Sequence, residues 1–266
     1  MLKVGAVIVG TALLLALLGP FIAPFDPARQ ELAARLAAPS LAHPFGLDEL
    51  GRDILARVLA GARISLFVGV TVVTVSSVVG TLLGSLAGYL GGRVDDVISR
   101  VIDVLLAFPG LLLAIALVAV LGPSLSNVLI ALTLIGWVGY ARLARGQVLR
   151  ARELDYVQAA RALGASTARI VCRHIIPSVI PAVIVQATLG MAGAVIGEAS
   201  LSFLGLGVQP PTPSWGTMLN GGRAHILDAP HLTLFPGLAI AALVLGFNFL
   251  GDGLRDRIDP RNPTRG

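Results

Sequence analysis

The chain has 266 residues, of which 55% are hydrophobic and only 13% charged, with a mean hydropathy of +0.85. That balance excludes an ordinary water-soluble domain and places most of the chain in lipid. The formal charge of +5 is almost all arginine, Lys3 being the only lysine, and basic residues beside apolar spans read as loop anchors rather than as a nucleic-acid face.

A hydrocarbon core of about 30 Å needs roughly 20 apolar residues as helix, and six segments qualify. The first, Val4 to Ala23, has the basic start of a secretory signal but is long for one and lacks a small-residue cleavage site, so it reads as an uncleaved span. Behind it, Phe25 to Ala62 is a mixed-charge outer stretch with a short helix expected around Leu47 to Leu59, started by Asp48 or Gly46.

The second span is Ile64 to Leu90, the third Ile98 to Leu121 with Pro109 inside it, and the fourth Ser124 to Ala141. The fifth is Ile175 to Gly197 and the sixth Leu232 to Leu250. Gly80, Gly84 and Gly88 recur every four residues along one face of the second span, and Gly193 and Gly197 repeat the spacing in the fifth; both sets are expected to let a neighbouring backbone approach closely. The segment Ser202 to His231, with Pro210, Pro211, Pro213 and Trp215, is expected to form a structured cap at the membrane surface rather than a helix.

Basic residues are retained on the cytoplasmic side during insertion. With both termini inside, 14 of the 20 basic residues fall on that side, including Arg93, Arg100, Arg255, Arg257, Arg261 and Arg265; the outer Arg29 to Arg63 are balanced by acids. The expectation is an all-α membrane protein with six transmembrane helices and both termini cytoplasmic. It divides into residues 1–63, one span and its outer segment, and a core of five spans over 64–266.

Between the fourth and fifth spans lies the one long charged cytoplasmic segment, Arg142 to His174, continuing to Pro177. Leu154, Val157, Ala160 and Gly164 recur at helical spacing, Gly164 breaks the helix, and Ser166 or Thr167 can cap a second one through Ile170 and Val171. The result is a helix, a turn and a helix in the cytosol, which spacing alone reads equally as a solvated connector or as a docking element.

This segment resembles a known signature. Gln158, Ala159 and Ala160, then Gly164, then His174, Ile175, Ile176 and Pro177 are similar to the "EAA" loop of ABC importer permeases. The general pattern has Glu at the place of Gln158 and Ile-x-Leu-Pro at the place of residues 174–177; both departures look like the peptide-importer branch. The likeness extends over His43 to Leu66, Leu105 to Ile115, Gly197 to Leu219 and Phe247 to Arg261.

Those blocks look like the C-type permease subunit of dipeptide and oligopeptide importers. The resemblance implies a type I ABC importer permease fold in the bacterial or archaeal inner membrane, paired with a second homologous permease, two ATP-binding cassette subunits and an external substrate-binding protein. It also implies that Gln158, Ala159, Ala160, Gly164, His174, Ile175 and Pro177 couple to the ATPase, that ATP and magnesium sit on the partner subunits, and that the outer cap faces the binding protein. Nickel complexes and glutathione are alternative cargoes of the same machinery.

Enzymatic readings find no support in the residues. A P-loop needs a lysine after its glycines, and Lys3 stands alone at the N-terminus, so this chain is not the ATPase. Cys172 has no disulfide partner, and His43, His174, His225 and His231 lack zinc-site spacing. An intramembrane serine protease would need a histidine at the depth of its nucleophile, and no span carries one in its middle. An ion-coupled secondary transporter, the alternative outside the ABC class, keeps acids near the bilayer midplane; the candidates here, Asp103 and Glu198, are expected towards the span ends, Glu198 as an interfacial acid.

Overall fold

The computed structural model describes residues 1–258; Arg261, Arg265 and the end of the block closing at Arg261 lie outside the described residues. Among the described residues the regular structure is helical, apart from one isolated β-bridge between Leu47 and Asp53, with turns and irregular chain over most of 23–53 and over 204–214.

Helix α1, Leu2–Ile22, is the first span. Pro20 has no N–H to offer the carbonyl of Ala16, and Arg63 Nε donates to that oxygen at 2.6 Å, with Arg63 Nη2 on Leu17 O at 3.0 Å. Arg63 belongs to α2, Ile54–Leu90. Asp53, rather than Asp48 or Gly46, starts that helix by accepting from Ala56 N at 2.7 Å. The short helix expected over Leu47–Leu59 and the second span are therefore one helix of 37 residues, and the division at residues 63 and 64 falls inside it. Asp48 instead closes the preceding turn, accepting from Leu50 N, Arg52 N and Arg52 Nε.

The third span is not continuous. Helices α3, Gly92–Leu106, and α4, Gly110–Leu121, meet at 85° across a three-residue break. Pro109 removes a helical donor, clashes with the preceding turn and disfavours helical backbone at the residue before it, and its own φ of −59° then starts α4. Five helices are long and apolar enough to cross a membrane, and a sixth crossing results if α3 and α4 count as one broken span.

Ser124 caps α5, Leu125–Ala151, which continues for ten residues past the expected end of the fourth span. At 1.5 Å per residue its 27 residues reach about 40 Å, so the last turns extend beyond a hydrocarbon core. Short helices α6, Asp155–Ala162, and α7, Thr167–Ile170, follow, and a π turn over Val171–Ile175 leads into α8, Ile176–Phe203. The wide turn sits where Pro177 cannot bond back to Arg173.

The outer cap does contain a helix, contrary to expectation. In α9, Trp215–Gly222, Ser214 and Thr217 each satisfy the other's backbone in a reciprocal capping box. Trp215 is buried and donates through Nε1 to Val58 O at 2.9 Å. The last helix, α10, His231–Ile258, runs back antiparallel to α1, with Gly246 against Ile8 and Gly253 against Leu2. The start of α1 and the end of α10 thus lie at the opposite end of the bundle from the cap. The main core gathers Val68, Val72, Met191, Val195, Leu243 and Phe247 from α2, α8 and α10.

Candidate functional site: the loop end of the bundle

Gln158, Ala159 and Ala160 lie on α6, Gly164 in the turn after it, His174 and Ile175 in the π turn, and Pro177 at the start of α8. Gly164 has φ +79°, the left-handed region that favours glycine, and Ser166, not Thr167, caps α7 by accepting from Arg169 N. Ala165 N reaches back to Ala160 O, so the turn closes on itself. The segment is a helix, a glycine turn and a helix, the second of which passes through Pro177 into α8.

This unit is seated on the spans rather than hung from them. Val157, Ile170, Ile175 and Val179 are buried together with Ala144 and Val148 of α5, and Tyr89 of α2 packs against the same cluster. Arg152 Nη1 donates to Gly88 O at 3.1 Å, and the Arg161 guanidinium lies 5.6 Å from the centre of the Tyr89 ring. Arg145 of α5 pairs with Asp95 of α3 beside them. A push on the turn therefore reaches α2, α5 and α8 through packed side chains and hydrogen bonds.

Gln158 Nε2 donates to Arg152 O at 3.0 Å, closing the exposed C-terminal end of α5. A glutamate carboxylate has no proton to give there, so the departure from the Glu of the general pattern has a local physical reason. His174 is half-buried, its ring centre 6.2 Å from that of Tyr156.

The turn at the outward end of the same unit is apolar, flanked by the exposed Glu153, Asp155, Arg161 and Arg169. Leu163, next to Gly164, is 88% exposed, and Leu154 and Tyr156 are also exposed. A Cβ built on Gly164 meets nothing within 4 Å. Leu163, Arg152 and the Tyr89–Arg161 contact were not singled out in the sequence; the signal available was an apolar residue beside a turn glycine in an otherwise charged segment.

The glycines of α2 face α5. A Cβ at Gly80 would lie 2.6 Å from Tyr140 Cβ, one at Gly84 would strike Ala141 O and lie 2.8 Å from its Cα, and one at Gly88 would lie 2.9 Å from Arg145 O. The α2 and α5 backbones are thus in near contact over three turns. In α8, Gly197 faces Leu132, whose Cδ2 would be 3.0 Å from a Cβ there. Gly193 departs from the packing role expected of it: a Cβ there meets nothing within 4 Å, because the position opens on a recess between helices.

At the cap end of its span, Glu198 is fully enclosed by protein. Its Oε1 accepts from Ser202 Oγ at 2.7 Å and its Oε2 from Ser65 Oγ at 3.5 Å, tying α8 to α2 beneath the cap. Asp103 lies on the exposed face of α3. Among the described residues no three His, Cys, Asp or Glu side chains are grouped to hold a metal.

Comparison with known proteins agrees with this architecture. Residues 80–262 match the family described as binding-protein-dependent transport system inner membrane component, and residues 1–39 match the N-terminal transmembrane domain of oligopeptide transport permease C. The chain is 47% identical to the dipeptide transport system permease protein DppC of Alkalihalophilus pseudofirmus over 97% of its own length and 85% of that protein's. It is 48% identical to the glutathione transport system permease protein GsiD of Escherichia coli O157:H7, over 98% and 86% of the two chains.

In structure it resembles a chain of the MetNI methionine ABC transporter, with a TM-score of 0.59 over 75% of this chain and 95% of that one, at 19% identity, which shows the fold. A helical bundle with this loop, matched by the family over more than half its length, is a multi-pass membrane protein and belongs to the binding-protein-dependent transport system inner membrane component family.

Proposed function

We propose that this chain is one permease half of an ATP-driven importer that moves dipeptides or oligopeptides into the cytoplasm. A second homologous permease, two ATP-binding cassette subunits and an external binding protein complete the machine, and ATP and magnesium are held by the cassettes. The loop end faces the cytoplasm in this reading, as arginine counting implies.

The observation that carries the proposal is the mounted apolar turn. Leu163 projects from a unit whose inner side is locked to α2, α5 and α8, while the space around Gly164 is free of this chain's own atoms. A surface of this kind fits a cleft on another subunit and converts that subunit's movement into movement of the spans. The relatives named for dipeptide and glutathione transport support a peptide cargo, glutathione included, because both cargoes carry peptide amides.

The test is Gly164→Asp in the tagged chain, purified from its native membrane. A Cβ there clashes with nothing in the chain itself, and the left-handed φ of +79° costs a non-glycine residue about 1–2 kcal/mol, least for Asp and Asn, so the variant is expected to insert and fold with a somewhat lower stability. The wild type should bring down a second permease and P-loop ATPases, and the variant should lose the ATPases and peptide uptake. Retained uptake by the variant would sink the docking assignment.

A further inference from the structure

The two halves of the loop unit reach the spans by different routes. Helix α7 passes through the π turn and Pro177 straight into α8, so the chain itself carries its movement. Helix α6 follows α5 after a tight turn over residues 152–154, in which Glu153 N and Leu154 N bond back to Arg150 O and Ala151 O. Its tie to α2, which ends at Leu90, is made by side chains alone.

That tie is specific. Val157 is the buried residue of α6 and belongs to the cluster that Tyr89 packs against. Four residues on, one turn along the same face of α6, the Arg161 guanidinium sits 5.6 Å from the centre of the Tyr89 ring. The ring has a fixed seat: the backbone of Gly88, the residue before it, lies in near contact with Arg145 O, and Gly88 O accepts from Arg152 Nη1 at 3.1 Å. Because α2 and α5 meet backbone to backbone along the glycine face, a force on the Tyr89 ring acts on both helices.

We infer that Tyr89 is a positioning residue of the transport cycle. Its ring face holds Arg161, and with it α6, so that displacement of the loop unit by an ATP-binding subunit is delivered to the α2–α5 pair as well as to α8. The inference rests on the importer reading. Without the clamp, α6 keeps Val157 and the bond from Gln158 to Arg152 O, and pivots between the turn at 152–154 and the glycine turn at 164. A ring that served only to fill space would need apolar bulk, which leucine supplies; a clamp on a guanidinium needs a π face.

The experiment uses the complete importer, with its binding protein, reconstituted in liposomes, with radiolabelled dialanine and glutathione as cargo. The quantity read is peptide moved per ATP hydrolysed, which is independent of how much complex assembles. Tyr89→Leu removes the π face, Arg161→Gln removes the cation from an exposed position, and Tyr89→Phe keeps the π face without the hydroxyl.

Tyr89→Leu and Arg161→Gln are each expected to lower the ratio by about twofold to fivefold, the factor for one cation–π contact near a surface. The double variant should be no worse than either single one, because both delete the same contact, and Tyr89→Phe should match the wild type. An unchanged ratio in Arg161→Gln or Tyr89→Leu, an equal loss in Tyr89→Phe, or single losses that multiply in the double variant overturns the clamp and leaves the importer intact. A wild-type chain that purifies without ATPases, or a wild-type complex that moves neither peptide, overturns the importer reading itself, before any variant is compared.

Discussion

Arg145 on α5 grips Asp95 on α3 through two parallel hydrogen bonds, Nε to Oδ1 at 2.5 Å and Nη2 to Oδ2 at 2.6 Å. Ser99 Oγ adds a third bond to the same carboxylate at 3.2 Å. The pair fixes the bent third span to the helix that carries the loop unit. It is bidentate but only partly buried, so its contribution lies at about 1 kcal/mol. Asp95→Asn is expected to lower the melting temperature of the purified chain slightly and to reduce uptake per ATP hydrolysed. The exchange Asp95→Arg with Arg145→Asp should recover part of that coupling, and a double variant no better than either single one would count against the pair.

Gly84 and Gly193 differ in what they face, and alanine distinguishes them. At Gly84 the added methyl meets the main chain of Ala141, which cannot swing aside, and α2 must move off α5. Overpacking of this kind costs about 1–3 kcal/mol. At Gly193 the methyl enters open space. Thermal unfolding followed by size-exclusion chromatography should show Gly84→Ala well below the wild type and Gly193→Ala close to it.

Glu198 organises hydroxyls below the cap. Glu198→Gln keeps an oxygen for one of the two hydroxyls and turns an NH2 donor to the other, whereas Glu198→Ala leaves Ser202 and Ser65 both without a partner on this side chain, at about 1–3 kcal/mol. The alanine variant is expected to be the less stable, with faster protease cleavage within residues 204–214. Identical digestion of the two variants would show that the carboxylate does not hold the cap.

Gln158→Glu restores the residue of the general permease pattern and removes the donor to Arg152 O. One exposed hydrogen bond is worth about 0.5–1.5 kcal/mol, and the replacement sets a carboxylate against a carbonyl. Hydrogen exchange should quicken over residues 150–158 while the rest of the chain is unchanged.

Much of this molecule is legible in one dimension because lipid imposes a simple rule: backbone polar groups must close internally, so long apolar runs are helices. The five continuous spans, the glycine turn at 164 and the second helix of the loop follow from length, apolarity and the break that a positive φ requires. The misread boundaries share a cause. Arg57 and Arg63 look like loop residues in sequence, yet both lie within the helix over Ile54–Leu90, their charges met by Asp48, by Pro27 O and by Ala16 O of α1. Pro109 inside the third span marks a place where the helix can break, and the 85° turn that follows it is seen only in the structure.

The sequence by itself determined the class, the spans and the loop, since each depends on residues close together in the chain and on their free energy in water or lipid. Tertiary structure alone decided which glycines are contacts and which are space, because Gly80, Gly84, Gly88 and Gly193 are identical in sequence and differ only in what stands opposite. It also decided the partners of Arg145, Glu198 and Arg152. Those follow from helices brought together across 50 or more residues, and no local pattern encodes them.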